Sequence, residues 1–196
     1  MPRSTFVKAF DMAGIELGDA LLLTARTALE RAFGNEGRAA PDHEALDRPG
    51  ATFVTLMQHG ELRGCIGTLE PCRPLRRDVE TNTLAAAFED PRFTPLLAAE
   101  LPYTGIEVSL LSAAAPITFA DEGELLQRLV PGVDGVVLQW RDRRSTFLPQ
   151  VWEALPEPRD FIAALKRKAG FDERFWANDI RVARYTVSKW KEVTPS

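Results

Sequence analysis

Ala51-Thr52-Phe53-Val54-Thr55-Leu56-Met57-Gln58-His59-Gly60-Glu61-Leu62-Arg63-Gly64-Cys65-Ile66-Gly67-Thr68 is the stretch whose reading decides the fold. Its first eight residues are rich in Phe, Val, Thr and Leu, which is strand composition. His59-Gly60 then reads as a two-residue hairpin turn, because glycine supplies the φ > 0 that such turns need. The chain returns as a second strand over 61–68. Side chains alternate with period two in a strand. This register sets Gln58 opposite Glu61, Leu56 opposite Arg63 and Val54 opposite Cys65. Arg63, Cys65 and Gly67 are thereby predicted to share one face.

Upstream, Leu17 to Phe33 carries Leu17, Leu21, Ala25, Ala28, Leu29 and Ala32 on one helical face and stops at Gly34. Residues 35–50 read as a surface loop. Downstream, Pro74 suits the first turn of a helix that runs to about Glu89. Asp90-Pro91 breaks it, since the residue before proline is pushed out of the α region. A short helix is expected near Pro95–Leu101. Thr104–Leu111 alternates, with Ile106, Val108 and Leu110 one way and Glu107 and Ser109 the other.

The pattern then recurs. Gly132–Trp140 and Ser145–Val151 form a second hairpin around Arg141–Arg144. Asp160–Ala169 reads as a helix, with Asp160 near its cap and Gly170 as its stop. A short aromatic helix is expected at Asp172–Trp176, and one long last strand at Ile180–Trp190. Asp90-Pro91-Arg92-Phe93 and Asp172-Glu173-Arg174-Phe175 fall at the same place in the two halves. The expectation is an α+β protein forming one domain over residues 1–196, with hairpin, helix, helix and strand occurring twice, at about 51–111 and 132–192.

Of the 196 residues, 45% are hydrophobic and 27% charged, values at which a buried core is expected and disorder is not. The net charge of −4 argues against a nucleic-acid partner. The clusters Arg73/Arg76/Arg77, Arg141/Arg143/Arg144 and Lys166/Arg167/Lys168 lie beside turns or acids and read as solvated faces. No apolar run approaches the roughly 20 residues of a membrane span, and the N-terminus lacks the apolar core of a signal peptide. Two cysteines, Cys65 and Cys72, are too few for a secreted disulfide scaffold. Reduced thiols in the cytoplasm are the expectation. With only His43 and His59, and no metal-ligand spacing, no metal and no cofactor is expected.

The chemistry concentrates in Arg63-Gly64-Cys65-Ile66-Gly67. Two glycines weaken a strand and mark a bulge or a close approach by a ligand or another backbone. Arg63 beside Cys65 favours the thiolate, which makes Cys65 the candidate nucleophile. Free cysteine often serves as a small buried hydrophobe, a role that Val54 as cross-strand neighbour suits, so the structural reading stands beside the reactive one. No general base is evident, since His59 sits at the hairpin tip. Asp90 and Arg92 form a corner pair that serves as a structural tie or as a substrate binder. Glu107 lies on the polar side of its strand. Gln150, after Leu148-Pro149, offers an amide to a cleft. Arg63, Gly64, Gly67, Asp90, Arg92, Glu107 and Gln150 are the candidate binding residues. Arg63 is expected to point into an open cleft unless Asp90, Glu107 or Glu192 pairs with it.

Leu62-Arg63-Gly64-Cys65-Ile66-Gly67 resembles the signature of the AMMECR-type family, called AmmeMemoRadiSam system protein A in prokaryotes. Asp90-Pro91-Arg92-Phe93, Ile106-Glu107-Val108-Ser109-Leu110-Leu111, Leu148-Pro149-Gln150-Val151, Lys168-Ala169-Gly170 and Trp190-Lys191-Glu192 resemble the family's other blocks in the same order. The resemblance implies an α+β fold with a mostly antiparallel, barrel-like sheet, flanking helices and two unequal subdomains. It also implies a Memo-like protein and a radical S-adenosylmethionine (SAM) enzyme as genomic company and possible partners. It carries no known reaction and no oligomeric state. Family members often have cysteine where Lys166 stands, and Cys72 and His59 lie outside the signature. Two functions remain open: an enzyme or enzyme component using Cys65, and a non-catalytic binding or adaptor module using the same strand.

Overall fold

Alternating and helical patterns become two four-stranded sheets, each backed by helices, in the computed structural model, which describes residues 16–36, 39 and 41–192. Of the loop expected over 35–50, residues 37, 38 and 40 lie outside that description. In chain order the elements are α1 (Leu17–Ala32), β1 (Pro49–Gly50), β2 (Thr52–Gln58), β3 (Glu61–Gly67), β4 (Arg73–Pro74), α2 (Leu75–Phe88), β5 (Thr104–Leu111), β6 (Ala115–Pro116), α3 (Glu122–Arg128), β7 (Gly135–Trp140), β8 (Arg143–Phe147), α4 (Pro158–Lys168), β9 (Arg181–Tyr185) and β10 (Val187–Lys191). Short 3-10 turns occupy Glu44–Asp47, Ala98–Tyr103 and Pro149–Glu153.

The chain divides into two compact, unequal units. One runs to Leu110 and resumes at Lys189; the other is Leu111–Ser188. The first holds a four-stranded sheet in the order β10-β5-β2-β3, with a two-stranded β1-β4 pair beside it. Its core forms where Leu21, Ala25 and Leu29 of α1 and Val79 of α2 meet Val54 and Leu56 of β2 and Val108 of β5, all fully buried. Burying an aliphatic side chain of this size stabilises by about 1.5–3 kcal/mol, so the inward face of β2 dictates its register. The second unit holds the sheet β6-β9-β7-β8. Its core stacks Trp152 on Phe161 at 3.8 Å, over Val136, Leu138 and Leu165.

In both sheets the first hairpin strand is central, flanked by its hairpin partner and by a later antiparallel strand. Both hairpins turn in two residues. His59 and Gly60 have φ of 51° and 81°, and Arg141 has φ of 55°. That left-handed geometry matches the strand twist.

Several expectations are corrected. Neither sheet closes, so there is no barrel among the described residues: β3 and β10 end one sheet, β6 and β8 the other. The expected long strand Ile180–Trp190 is interrupted at Thr186, whose amide and carbonyl bond Ser112, and its halves β9 and β10 join different sheets. Asp172–Trp176 is a turn, not a helix. Helix α4 begins at Pro158 with Glu157 as N-cap, so Asp160 sits in its first turn, where the dipole favours an acid. Helix α3 was not expected. Its signal was Asp121-x-x-Glu124: Asp121 accepts the Glu124 amide at 2.8 Å and Glu124 accepts the Ala120 amide at 2.7 Å.

Candidate functional site

The signature strand pairs with β2 through a bulge. Met57 opposes Leu62 but Leu56 opposes Gly64, which leaves Arg63 as the extra residue. The predicted pairs Leu56–Arg63 and Val54–Cys65 are therefore wrong: Thr55 opposes Cys65, Val54 opposes Ile66 and Phe53 opposes Gly67. A bulge places two residues against one and re-aims side chains. Gly64 and Ile66 consequently face inward with Leu56 and Val54. Cys65 and Gly67 do share a face, the outer one, with Thr55, Phe53 and, across β2, Glu107 and Ser109. Arg63 does not belong to that row.

Each glycine is explained by a close approach. A Cβ on Gly64 would lie 2.1 Å from the Ala86 carbonyl oxygen of α2. On Gly67 it would lie 2.3 Å from the Phe53 ring and 2.6 Å from the Thr52 carbonyl oxygen. The neighbours are this chain's own helix and strand, so packing alone requires both glycines.

Arg63 is closed, not open. Its Nε donates to Glu100 Oε1 at 2.9 Å and its Nη2 to Glu100 Oε2 at 3.2 Å, with 12% of the arginine side chain exposed. None of the three expected partners is the right one. Asp90 pairs with Arg92, Glu107 with Lys189 at 2.9 Å, and Glu192 with Arg26 through Nε at 2.9 Å. The Arg63 guanidinium holds the Glu100 carboxyl down to about 2, helped by the Leu97 amide at 2.8 Å and the Gln58 side chain at 3.3 Å. An arginine so engaged does not supply the thiol-activating charge expected of it.

Asp90 and Arg92 grip the backbone of Cys65. Strand β3 is at the sheet edge, and the unused amide and carbonyl of an edge residue invite another strand. The Cys65 amide donates to Asp90 Oδ2 at 2.8 Å, and Arg92 Nη2 donates to the Cys65 carbonyl at 3.3 Å. Arg92 also donates to Asp90 through Nη2 at 2.7 Å and Nε at 2.9 Å. The Arg92 guanidinium, with the Cys65 and Arg92 amides, holds the buried Asp90 carboxyl well below the usual carboxylate range, and Asp90 raises Arg92 in turn. The pair closes the edge as another strand would.

The Cys65 side chain is half-buried. The Thr55 hydroxyl donates to its Sγ at 3.4 Å. Among the described residues no carboxylate or imidazole hydrogen-bonds this thiol. Glu107 stands across Thr55 on the same face, ion-paired to Lys189. Gln150 is exposed and belongs to the second unit. Arg63, Gly64, Cys65, Gly67, Asp90, Arg92 and Glu107 thus come together in the first unit, and Gln150 is not among them. No group of three or more His, Cys, Asp or Glu among the described residues is placed to hold a metal ion. No helix among them is long and apolar enough to cross a membrane.

Sequence reading missed the anchor at the far end of the strand. Asp78, fully buried, accepts the Thr52 amide and hydroxyl at 2.7 Å, the Thr68 hydroxyl at 2.7 Å and Arg73 Nε at 2.9 Å. Asn82 adds a bond from its amide to the Thr52 carbonyl at 2.9 Å. Five donors on one carboxylate, Asn82 included at 3.0 Å, satisfy a charge that would otherwise be costly to bury. The available signal was two polar residues four apart on the inward face of α2, where Leu75, Val79 and Ala86 are buried. Glu100 was also missed. It reaches back three residues to the Leu97 amide, as a capping glutamate does.

Relatives match this chain over most of their length. A protein of Thermofilum pendens is 31% identical over 199 residues, covering 92% of each chain. One from Aeropyrum pernix is 35% identical over 189 residues, 91% of this chain and 80% of the relative. The crystal structure of an uncharacterized protein from Pyrococcus horikoshii superposes with a TM-score of 0.73 at 27% identity, covering 94% of this chain and 95% of the other. The family model named AMMECR1 matches residues 22–190, a span that contains the bulged strand, its Asp90–Arg92 clamp and both sheets. With that span matched from α1 to β10, the chain belongs to the AMMECR1 family.

Proposed function

We propose that the chain is a non-catalytic cytoplasmic binding module, with the outer face around Cys65 as its contact surface. The observation that carries this reading is the closure of Arg63 on Glu100. An activated thiol needs a nearby base or an unspent cation. Here the Thr55 hydroxyl donates to Sγ, and the Arg92 cation near Cys65 is spent on Asp90 and, with it, on backbone. What these bonds supply is rigidity. The strand is pinned by Asp78 beyond its last residue and by Asp90 at its middle, so Cys65, Thr55, Phe53 and Glu107 form a fixed surface. A fixed surface binds without paying an ordering cost. By family resemblance the partners would be a Memo-like protein and a radical SAM enzyme. The like strand order of the two sheets further supports descent of the two halves from one hairpin-helix-strand unit.

The test is calorimetric titration of the purified chain with the Memo-like protein and the radical enzyme of the same genome. Binding by the wild type and by Cys65→Ser, together with loss of binding in Thr55→Arg, is the expected result. Alkylation of native Cys65 faster than a free thiol of pKa about 8.5, with turnover of a substrate lost in Cys65→Ser, would restore the enzyme reading.

A further inference from the structure

The second unit contains a cleft that the signature strand does not explain. It lies between α3 and α4, has a volume of about 600 Å³, and is walled on its apolar side by Leu126, Leu155 and Ala163. That size suits a small organic ligand.

Its charges are unevenly spent. Lys166 is fully buried. Its Nζ donates to Glu122 Oε1 at 2.5 Å and to the Glu173 carbonyl at 3.2 Å, and lies 5.4 Å from the centre of the Trp176 ring. Arg167 takes the Glu173 carboxylate at 2.7 Å. Two of the three acids that line the cleft, Glu122 and Glu173, are therefore already neutralised. Arg159 and Arg174 also line it, and neither guanidinium has a hydrogen bond, ion pair or ring contact among the described residues. Asp160 is the one lining acid left without a cation, so two free guanidiniums face one free carboxylate.

The repeated Asp-x-Arg-Phe turn sharpens this. Both copies fold alike. Asp90 accepts the Arg92 amide at 3.1 Å and Asp172 accepts the Arg174 amide at 2.8 Å. In both, the phenylalanine amide returns to the aspartate carbonyl, at 3.1 and 3.0 Å. In the first copy the guanidinium folds back onto its own aspartate. In the second it makes no such bond and lines the cleft instead.

We propose that this cleft binds a small organic oxyanion, a phosphate or carboxylate held by Arg159 and Arg174, whose apolar body lies on Leu126, Leu155 and Ala163. The planar guanidinium fork matches either anion, with two parallel hydrogen bonds per arginine. A concave site with excess positive charge concentrates anions before contact is made. The site is built wholly from the second unit and does not rest on the role given to Cys65.

The experiment is a nuclear magnetic resonance titration of the full chain with phenyl phosphate, phenylacetate and inorganic phosphate. Saturable shifts of amides in α3, α4 and 172–176 are expected with at least one aromatic probe, and weaker ones with inorganic phosphate. Tighter binding of phenyl phosphate assigns a phosphate ligand, and tighter binding of phenylacetate a carboxylate. Arg159→Gln and Arg174→Gln should each weaken the tighter probe by about tenfold or more, the usual consequence of losing hydrogen bonds to a charged group. Arg77→Gln, which removes an exposed pair with Glu80, should leave it unchanged. The proposal is overturned by no saturable shift up to about 10 mM probe, far above the range of specific sites. It is equally overturned by inorganic phosphate binding as tightly as the aromatic probes, or by Arg77→Gln weakening binding as much as the cleft variants.

Discussion

Replacing Gly64 with alanine should damage the first unit more than any change to Cys65. The new methyl carbon would sit 2.1 Å from the Ala86 carbonyl oxygen, and ordinary contact begins near 3.4 Å, so strand and helix must part by about 1.3 Å. The obstacle is helix backbone, which cannot swing aside as a side chain can. Helix α2 is also tied to β2 by Asp78 and Asn82, so the separation strains a network of buried hydrogen bonds. Overpacking costs about 1–3 kcal/mol in general, and a rigid backbone neighbour places this site at the upper end, about 3 kcal/mol. For a chain of this length that lowers the melting temperature by about 6–12 °C, at about 2–4 °C per kcal/mol. Gly67→Ala should fall short of this, because the Phe53 ring can turn, although the Thr52 carbonyl at 2.6 Å cannot. Cys65→Ser keeps the shape and should cost about 1 kcal/mol or less. Thermal melts of the three variants by circular dichroism read the order directly. A Gly64→Ala protein melting within about 2 °C of wild type would refute the close-packing argument.

Arg63→Lys keeps the charge but loses the two-pronged contact with Glu100, and should cost about 1–2 kcal/mol in a urea titration; an unchanged midpoint would mean the pair contributes nothing. Glu100 has its folded pKa depressed to about 2 from 4.5, so its contribution is complete above pH 4.5 and is lost as pH falls toward 2. Glu100→Gln should therefore flatten the stability profile across that window, and an unaltered profile would contradict the assignment. Asp90→Ala removes the carboxylate that accepts the Cys65 amide, so hydrogen exchange at Cys65 should accelerate by about tenfold or more while Val54 stays protected; equal protection at Cys65 would show that the clamp is unnecessary.

Element type and order were legible because they depend on local pattern. The alternation of Ile106 and Val108 against Glu107 and Ser109 survives intact, with the first pair buried. Gly34 and Gly170 end their helices at φ of 80° and 79°. What the pattern did not reveal depends on distant partners. The bulge at Arg63 exists where Glu100, 37 residues on, draws that side chain aside and Asp90, 25 residues beyond Cys65, takes the Cys65 amide. The break at Thr186 needs Ser112, 74 residues away. A period-two reading carries no information about such pairings, so it ran through both places without interruption. The candidate residues fared better than their roles. Seven of the eight share one unit, because a strand, a turn and a neighbouring strand were correctly placed, yet the arginine assigned to a ligand was paired with a glutamate that sequence reading had passed over.

The bulge explains why this signature has the residues it has. Without it, period two would place Gly64 and Ile66 outward and Arg63, Cys65 and Gly67 toward Leu56 and Val54, which are fully buried. Burying an arginine there without a partner would be costly. With the bulge, each position from 63 to 68 has a separate physical task. Arg63 leaves the ladder for Glu100, Gly64 admits the backbone of α2, and Cys65 offers its amide to Asp90. Ile66 joins the core, Gly67 clears the Phe53 ring, and Thr68 closes on Asp78. Over residues 63–68 the Cys65 thiol alone is left without a task in holding the strand, beyond its contact with Thr55. A side chain spared from structural work between tightly held neighbours is free to serve a partner, which is why the outer face at Cys65, and not Arg63, is where binding should be sought.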